Sequence, residues 1–106
     1  MSLEFYHLIL PGHMDRMNEI MHTLHETSED AIRALFPNGF GKHMMEWWDH
    51  ELEMKRLSRK YPEVLFCLEA VGENARDLWK KYFKNGKMQD CQAKITFDPY
   101  DEEKLC

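Results

Sequence analysis

A chain of 106 residues suffices for one domain with a single modest core that needs neither disulfides nor metal. With 12% aromatic residues, eight Met and three Trp, its apolar bulk excludes disorder along the whole chain. Nineteen acidic against fourteen basic residues give a net charge of -5, which repels phosphate backbones unless the basic groups are strongly segregated, so direct nucleic-acid binding is not expected.

The opening residues MSLEFYHLILPG carry no basic leader, and His7 interrupts their short apolar run. The pattern predicts neither a signal peptide nor a membrane span, and a cytoplasmic location. Glu4 to Leu10 combines aromatic and β-branched character and stops at Pro11-Gly12, as a short strand does. From His13, the residues Met14, Met17, Ile20, Met21 and Leu24 fall at helical spacing and predict a helix packed on a sheet. Thr27-Ser28-Glu29-Asp30 supplies N-terminal capping groups for a second, short helix with Ala31, Ile32, Leu35 and Phe36 as its apolar positions. It ends at Pro37-Asn38-Gly39, and Gly39-Phe40-Gly41 forms a turn.

Between Lys42 and Lys60, Met45, Trp48, Leu52 and Leu57 alternate with charges, which predicts a long amphipathic helix stopped by Tyr61-Pro62. Val64 to Leu68 then reads as a buried strand. Over Glu73 to Lys84 two rules disagree. Ala75, Leu78, Trp79, Tyr82 and Phe83 match helical spacing, yet Asn85-Gly86 is a strong two-residue hairpin signal between Trp79–Phe83 and the segment that follows. The hairpin is favoured. Ala93, Ile95 and Phe97 alternate as a strand should, and Asp98 to Cys106 reads as a polar tail.

Trp48 to Phe66, containing Leu57-Ser58-Arg59-Lys60-Tyr61-Pro62, is followed by Gly72-Glu73, Asp77-Leu78-Trp79, Tyr82 to Lys87 and Phe97-Asp98. This succession resembles the small ferredoxin-like proteins of the YubB type, encoded by phages, plasmids and bacteria, over about residues 47 to 98. The resemblance implies one α+β domain of ferredoxin-like fold, with strands joined by the Asn85-Gly86 turn, and a mobile-element setting. Met14 to Phe36 lacks the proline-rich opening of those proteins.

Candidate chemistry is sparse. His22 and His25, three apart on the first helix, could share a metal with Glu26. Against that stands the ease with which six histidines among 106 residues produce such a pair. His50 beside Asp49, Glu51 and Glu53 has the composition for acid-base work, but the pattern assigns these residues to the solvent face of a charged helix. Ser58 has no nucleophile-elbow surroundings, and Gly39-Phe40-Gly41 lacks the strand and third glycine of a dinucleotide site. Cys67, Cys91 and Cys106 read as reduced thiols, with a Cys67–Cys91 bridge as the alternative in an oxidising compartment. No cofactor is expected.

Trp47 and Trp48 project about 100° apart on a helix, so one narrow stripe cannot bury both. An exposed Trp47 with Met44, rimmed by Asp49, Glu51 and Glu53, would make a partner-binding patch; the plainer reading is that the core absorbs both indoles. The sequence expectation is therefore a non-enzymatic protein-binding protein of phage or mobile-element type, in its sharpest form an anti-CRISPR-like inhibitor with an acidic docking face. The alternatives are a small metal- or ligand-binding, enzyme-like domain on the His/Glu-rich helices, and a structural module that forms a homodimer.

Overall fold

A computed structural model describes residues 3–72, 78–92 and 103 of the chain. Strand β1 (Glu4–Ile9) is followed by a 3-10 turn (Met14–Arg16) and three helices, α1 (Met17–Thr27), α2 (Glu29–Ala34) and α3 (His50–Lys60). Three strands complete the order: β2 (Phe66–Gly72), β3 (Leu78–Lys84) and β4 (Lys87–Gln92). All four strands form one antiparallel sheet in the order β1-β2-β3-β4. Among the described residues, no helix is long and apolar enough to cross a membrane.

The fold class is α+β, but the ferredoxin-like arrangement expected from the resemblance is not what forms. That arrangement distributes its helices as βαββαβ, whereas here every described helix falls between β1 and β2 and the strands continue as a meander. The reason is local. Asn85 (φ 48°) and Gly86 (φ 80°) both take positive φ, the type I′ geometry whose twist matches antiparallel strands, so β3 turns straight back into β4. The helical spacing seen through Leu78–Phe83 is overridden by that turn and by the β2–β3 ladder, from Phe66↔Phe83 to Val71↔Leu78. Residues 73–77 and the expected strand at Ala93–Phe97 lie outside the described residues, as does the tail apart from Glu103.

The long helix expected from Lys42 begins only at His50. Met45 instead exchanges backbone hydrogen bonds with Glu4 (2.8 and 2.9 Å), and Leu8 N–H donates to the Gly39 carbonyl at 2.8 Å. Residues 39–45 thereby cover the outer edge of β1, satisfying backbone groups that an edge strand leaves open. The buried stripe of α3 is Met54, Leu57 and Ser58, while Leu52 is exposed and, at about 100° per residue, points to nearly the opposite side of the helix, so of the expected apolar positions within α3 only Leu57 is buried.

The helices pack on one face of the sheet. Met17, Ile20, Met21 and Leu24 of α1 and Ala31 and Ala34 of α2 close over Leu8, Phe66, Leu68 and Phe83. Each large side chain so removed from water contributes about 1.5–3 kcal/mol. Ser28 caps α2 by accepting from Ala31 N–H at 3.0 Å. Buried Ser58 accepts from Gly86 N–H and donates to the Lys55 carbonyl, both at 2.8 Å, which ties the hairpin tip to α3.

Cys67 on β2 and Cys91 on β4 are free thiols with β3 between them. Strands two places apart in a sheet stand about 9.6 Å from each other, beyond the roughly 7 Å Cα separation a disulfide can bridge. Burial also pushes the Cys67 thiol above its ordinary pKa, away from the reactive thiolate.

Candidate functional site

Strand alternation divides the sheet into two faces. The face beneath the helices presents Glu4, Tyr6 and Leu8 from β1, Phe66, Leu68 and Ala70 from β2, and Trp79, Lys81 and Phe83 from β3. Most of this set is apolar. Glu4 and Lys81 are the charged exceptions, and Lys81, with its side chain only 9% exposed, is held by a polar cluster. Its ammonium donates to His50 Nε2 and to Glu51 Oε1, both at 2.7 Å, and lies 4.3 Å from the centroid of the Trp79 ring. His50 stacks on that same indole with ring centroids 5.1 Å apart.

Polar groups around the cluster satisfy one another. Trp79 Nε1–H donates to Glu4 Oε2, and the Tyr6 hydroxyl donates to Glu4 Oε1 at 3.3 Å while accepting from Trp47 N–H at 3.2 Å. Burial, foremost, pushes the Tyr6 phenol well above its usual range, so it stays protonated. Both nitrogens of His50 are engaged, by Lys81 and by the Trp47 carbonyl at 2.8 Å. The arrangement is an internal brace joining β1, α3 and β3. Its polar atoms are turned toward each other rather than toward a substrate.

The partner patch expected from the sequence is split by this brace. Trp47 is 1% exposed and packs edge-on to Tyr6 at 5.5 Å, with its Nε1–H donating to Glu53 Oε2 at 2.6 Å. The exposed indole is its neighbour Trp48, at 77%. Glu53 also accepts from Ser28 Oγ at 2.6 Å, and Glu51 holds Lys81, so neither acid stands ready for a partner. Asp49 and Met44 are exposed.

The histidine pair does not converge on a common point either. His22 Nε2 sits 2.9 Å from Glu26 Oε1 in solvent, while His25 Nε2 is buried without a hydrogen-bond partner among the described residues. Burial lowers the His25 pKa. No three His, Cys, Asp or Glu side chains among the described residues are grouped to hold a metal ion.

The opposite face of the sheet carries a feature that the sequence reading passed over. Phe5↔Val71↔Leu78 are directly opposed across β1, β2 and β3, and the antiparallel Glu4↔Met45 bridge sets Met44 beside Phe5. The result is an apolar row across the sheet, with Met44, Phe5 and Val71 all exposed. Beside it runs His7↔Glu69↔Lys80↔Cys91, with the Phe40 ring, 56% exposed, stacked on His7 at 4.7 Å. Lys80 pairs with Glu69 at 3.2 Å. Two shallow hollows meet at Glu69 and Val71, of about 260 Å³ toward Phe5 and Phe40 and about 300 Å³ toward Leu78 and Cys91. The available signal was period two in EFYHLI, which sends Phe5 and His7 to the face opposite Tyr6 and Leu8. Comparison with family models, curated proteins and solved structures finds no match.

Proposed function

We propose that the chain is a non-enzymatic protein-binding module that docks a partner protein on the open face of its sheet. The observation that carries this reading is the cross-strand row Met44, Phe5, Val71 and Leu78, extended by Phe40 on His7, on the face away from the helices. Contiguous exposed apolar side chains rimmed by charges mark interaction sites, and aromatic and Met anchors dominate their energetics. A counter-defence inhibitor from a mobile element is one form such a module takes. The acids proposed for its docking face give less support than the apolar row, because Glu51 and Glu53 are engaged internally.

Affinity capture from the native host with the unmodified chain and with Val71→Asp, alongside light scattering at several concentrations, tests the proposal. The variant is expected to lose one defined captured protein while its unfolding midpoint stays within a few degrees. A concentration-dependent mass that Val71→Asp abolishes would instead make the partner a second copy of the chain. Undiminished capture by Val71→Asp together with loss in Trp48→Ala would move the dock to the other side of the molecule and overturn the reading.

A further inference from the structure

The net charge of -5 conceals a basic end. Lys84 and Lys87 lie directly opposite one another at the hairpin tip, flanking the Asn85-Gly86 turn. The Gly86–Ser58 hydrogen bond holds this hairpin against the last turns of α3, where Arg56, Arg59 and Lys60 project. Arg59 lies against the turn itself, for a Cβ on Gly86 would come 2.5 Å from its Nε. All five cations are exposed, and none pairs with a carboxylate among the described residues. Arg16, Arg33, Lys80 and Lys81, by contrast, each hold an acid.

Simpler causes account for part of this set. Arg59 and Lys60 suit the negative end of the α3 dipole. A lysine on an outer strand such as β4 discourages edge-to-edge pairing. Neither cause covers Lys84, which sits at the end of the inner strand β3, one residue past its last pair with β2, and faces a like charge, an arrangement that destabilises a ladder. Beside the two lysines opens a hollow of about 430 Å³ bounded by Pro62, Leu65, Tyr82 and Met88.

We infer that this end of the molecule docks an acidic segment of a protein partner, with carboxylates on Lys84, Lys87 and Arg59 and an apolar side chain in the adjoining hollow. The inference rests on the protein-binding reading for the nature of the occupant and adds its chemistry. Nucleic acid fits less well: Tyr82 is the one partly exposed aromatic ring in a hollow otherwise walled by Pro62, Leu65 and Met88, and the remainder of the chain is strongly acidic, which repels a phosphate backbone.

Fluorescence anisotropy of the full chain with a labelled peptide of alternating Asp and Leu tests it. A Lys-Leu peptide of the same pattern and a single-stranded oligonucleotide are the comparison probes. The acidic peptide is expected to bind, to weaken as salt rises, and to lose affinity by about tenfold or more when Lys84→Glu and Lys87→Glu are combined. Val71→Asp, remote from the hairpin tip, should leave peptide binding unchanged. Equal binding by the native and charge-reversed chains overturns the inference, as does tighter binding of the oligonucleotide. If the peptide fails while Val71→Asp still abolishes capture of the native partner, this inference alone falls and the sheet-face reading stands.

Discussion

The Lys81 ammonium donates to His50 Nε2 at 2.7 Å on the face of the sheet that also carries Leu68 and Phe83. The direction of that bond fixes the state of the imidazole. Because the Trp47 carbonyl can only accept, Nδ1 carries the ring proton and Nε2 offers its lone pair to Lys81. Histidine protonation removes the acceptor and places two cations at contact distance. Burial, foremost, and the Lys81 charge hold the His50 pKa below its ordinary 6.5, against opposing pulls from the Trp47 carbonyl, Glu51 and Glu4.

Stability should therefore fall as pH drops below about 6.5. In that window unfolded chains take up the His50 proton while native chains do not, so the unfolded state binds more protons and acid favours it. His25, also lowered by burial, acts in the same direction. Glu51, held below 4.5 chiefly by the Lys81 hydrogen bond, adds a second loss as pH falls below that value. Urea midpoints measured from about pH 7 down to about pH 5 should decline, and His50→Phe should flatten the slope. An unchanged midpoint in the native chain over this range would show that His50 is not held neutral.

Replacing Lys81 separates its charge from its packing. Lys81→Met keeps the stem among Leu68, Trp79 and Phe83 and removes the ammonium that must be desolvated, so stability should change by less than about 1.5 kcal/mol in either direction. Glu51→Ala strips one partner from a nearly buried cation and should cost about 1–3 kcal/mol, discounted because Glu51 itself is half exposed. Chemical denaturation of both variants checks the order. A larger loss for Lys81→Met would mean that the brace contributes specific electrostatic stability rather than satisfying a charge it has created.

Trp47 and Trp48 should behave as opposites. Trp47→Ala removes a fully buried indole and its bond to Glu53 and is expected to cost about 3–5 kcal/mol, whereas Trp48→Ala should fall within about 0.5 kcal/mol of the native chain. Thermal unfolding of the two variants settles which indole belongs to the core.

The adjacent tryptophans also show how far the sequence could be read. A helix through both residues would have made the pair diverge, yet they precede α3, and which indole turned inward depended on contacts distant in sequence: Tyr6 lies 41 positions from Trp47, and their hydrogen bond crosses from β1. The same is true of α3. Met45 had helical spacing, yet its backbone was claimed by the edge of β1, a tertiary demand that periodicity cannot register. Local signals served better where they were self-contained. Pro11-Gly12 closed β1, Ser28 capped α2, and Asn85-Gly86 made the hairpin. The exposed row was harder to find because Phe5, Val71 and Leu78 come from three strands, and only their register puts them together.

Two glycines should answer an added methyl differently. Gly12 sits at φ 77° with nothing near a prospective Cβ, so Gly12→Ala meets backbone strain alone and should cost about 1 kcal/mol. Gly41 does not lie in the left-handed region, but its Cβ would run into the Tyr6 carbonyl oxygen and the Phe5 ring. A backbone atom cannot swing aside as a side-chain tip does. Gly41→Ala must push the 39–45 segment off β1, weakening the Leu8–Gly39 and Glu4–Met45 hydrogen bonds, and should cost more than Gly12→Ala, about 2–3 kcal/mol. Hydrogen exchange supplies the distinguishing readout: the Glu4 and Leu8 amides should lose protection in Gly41→Ala and keep it in Gly12→Ala. Equal protection in both variants would mean that residues 39–45 do not seal the β1 edge, leaving that strand open beside the very row of side chains proposed to receive a partner.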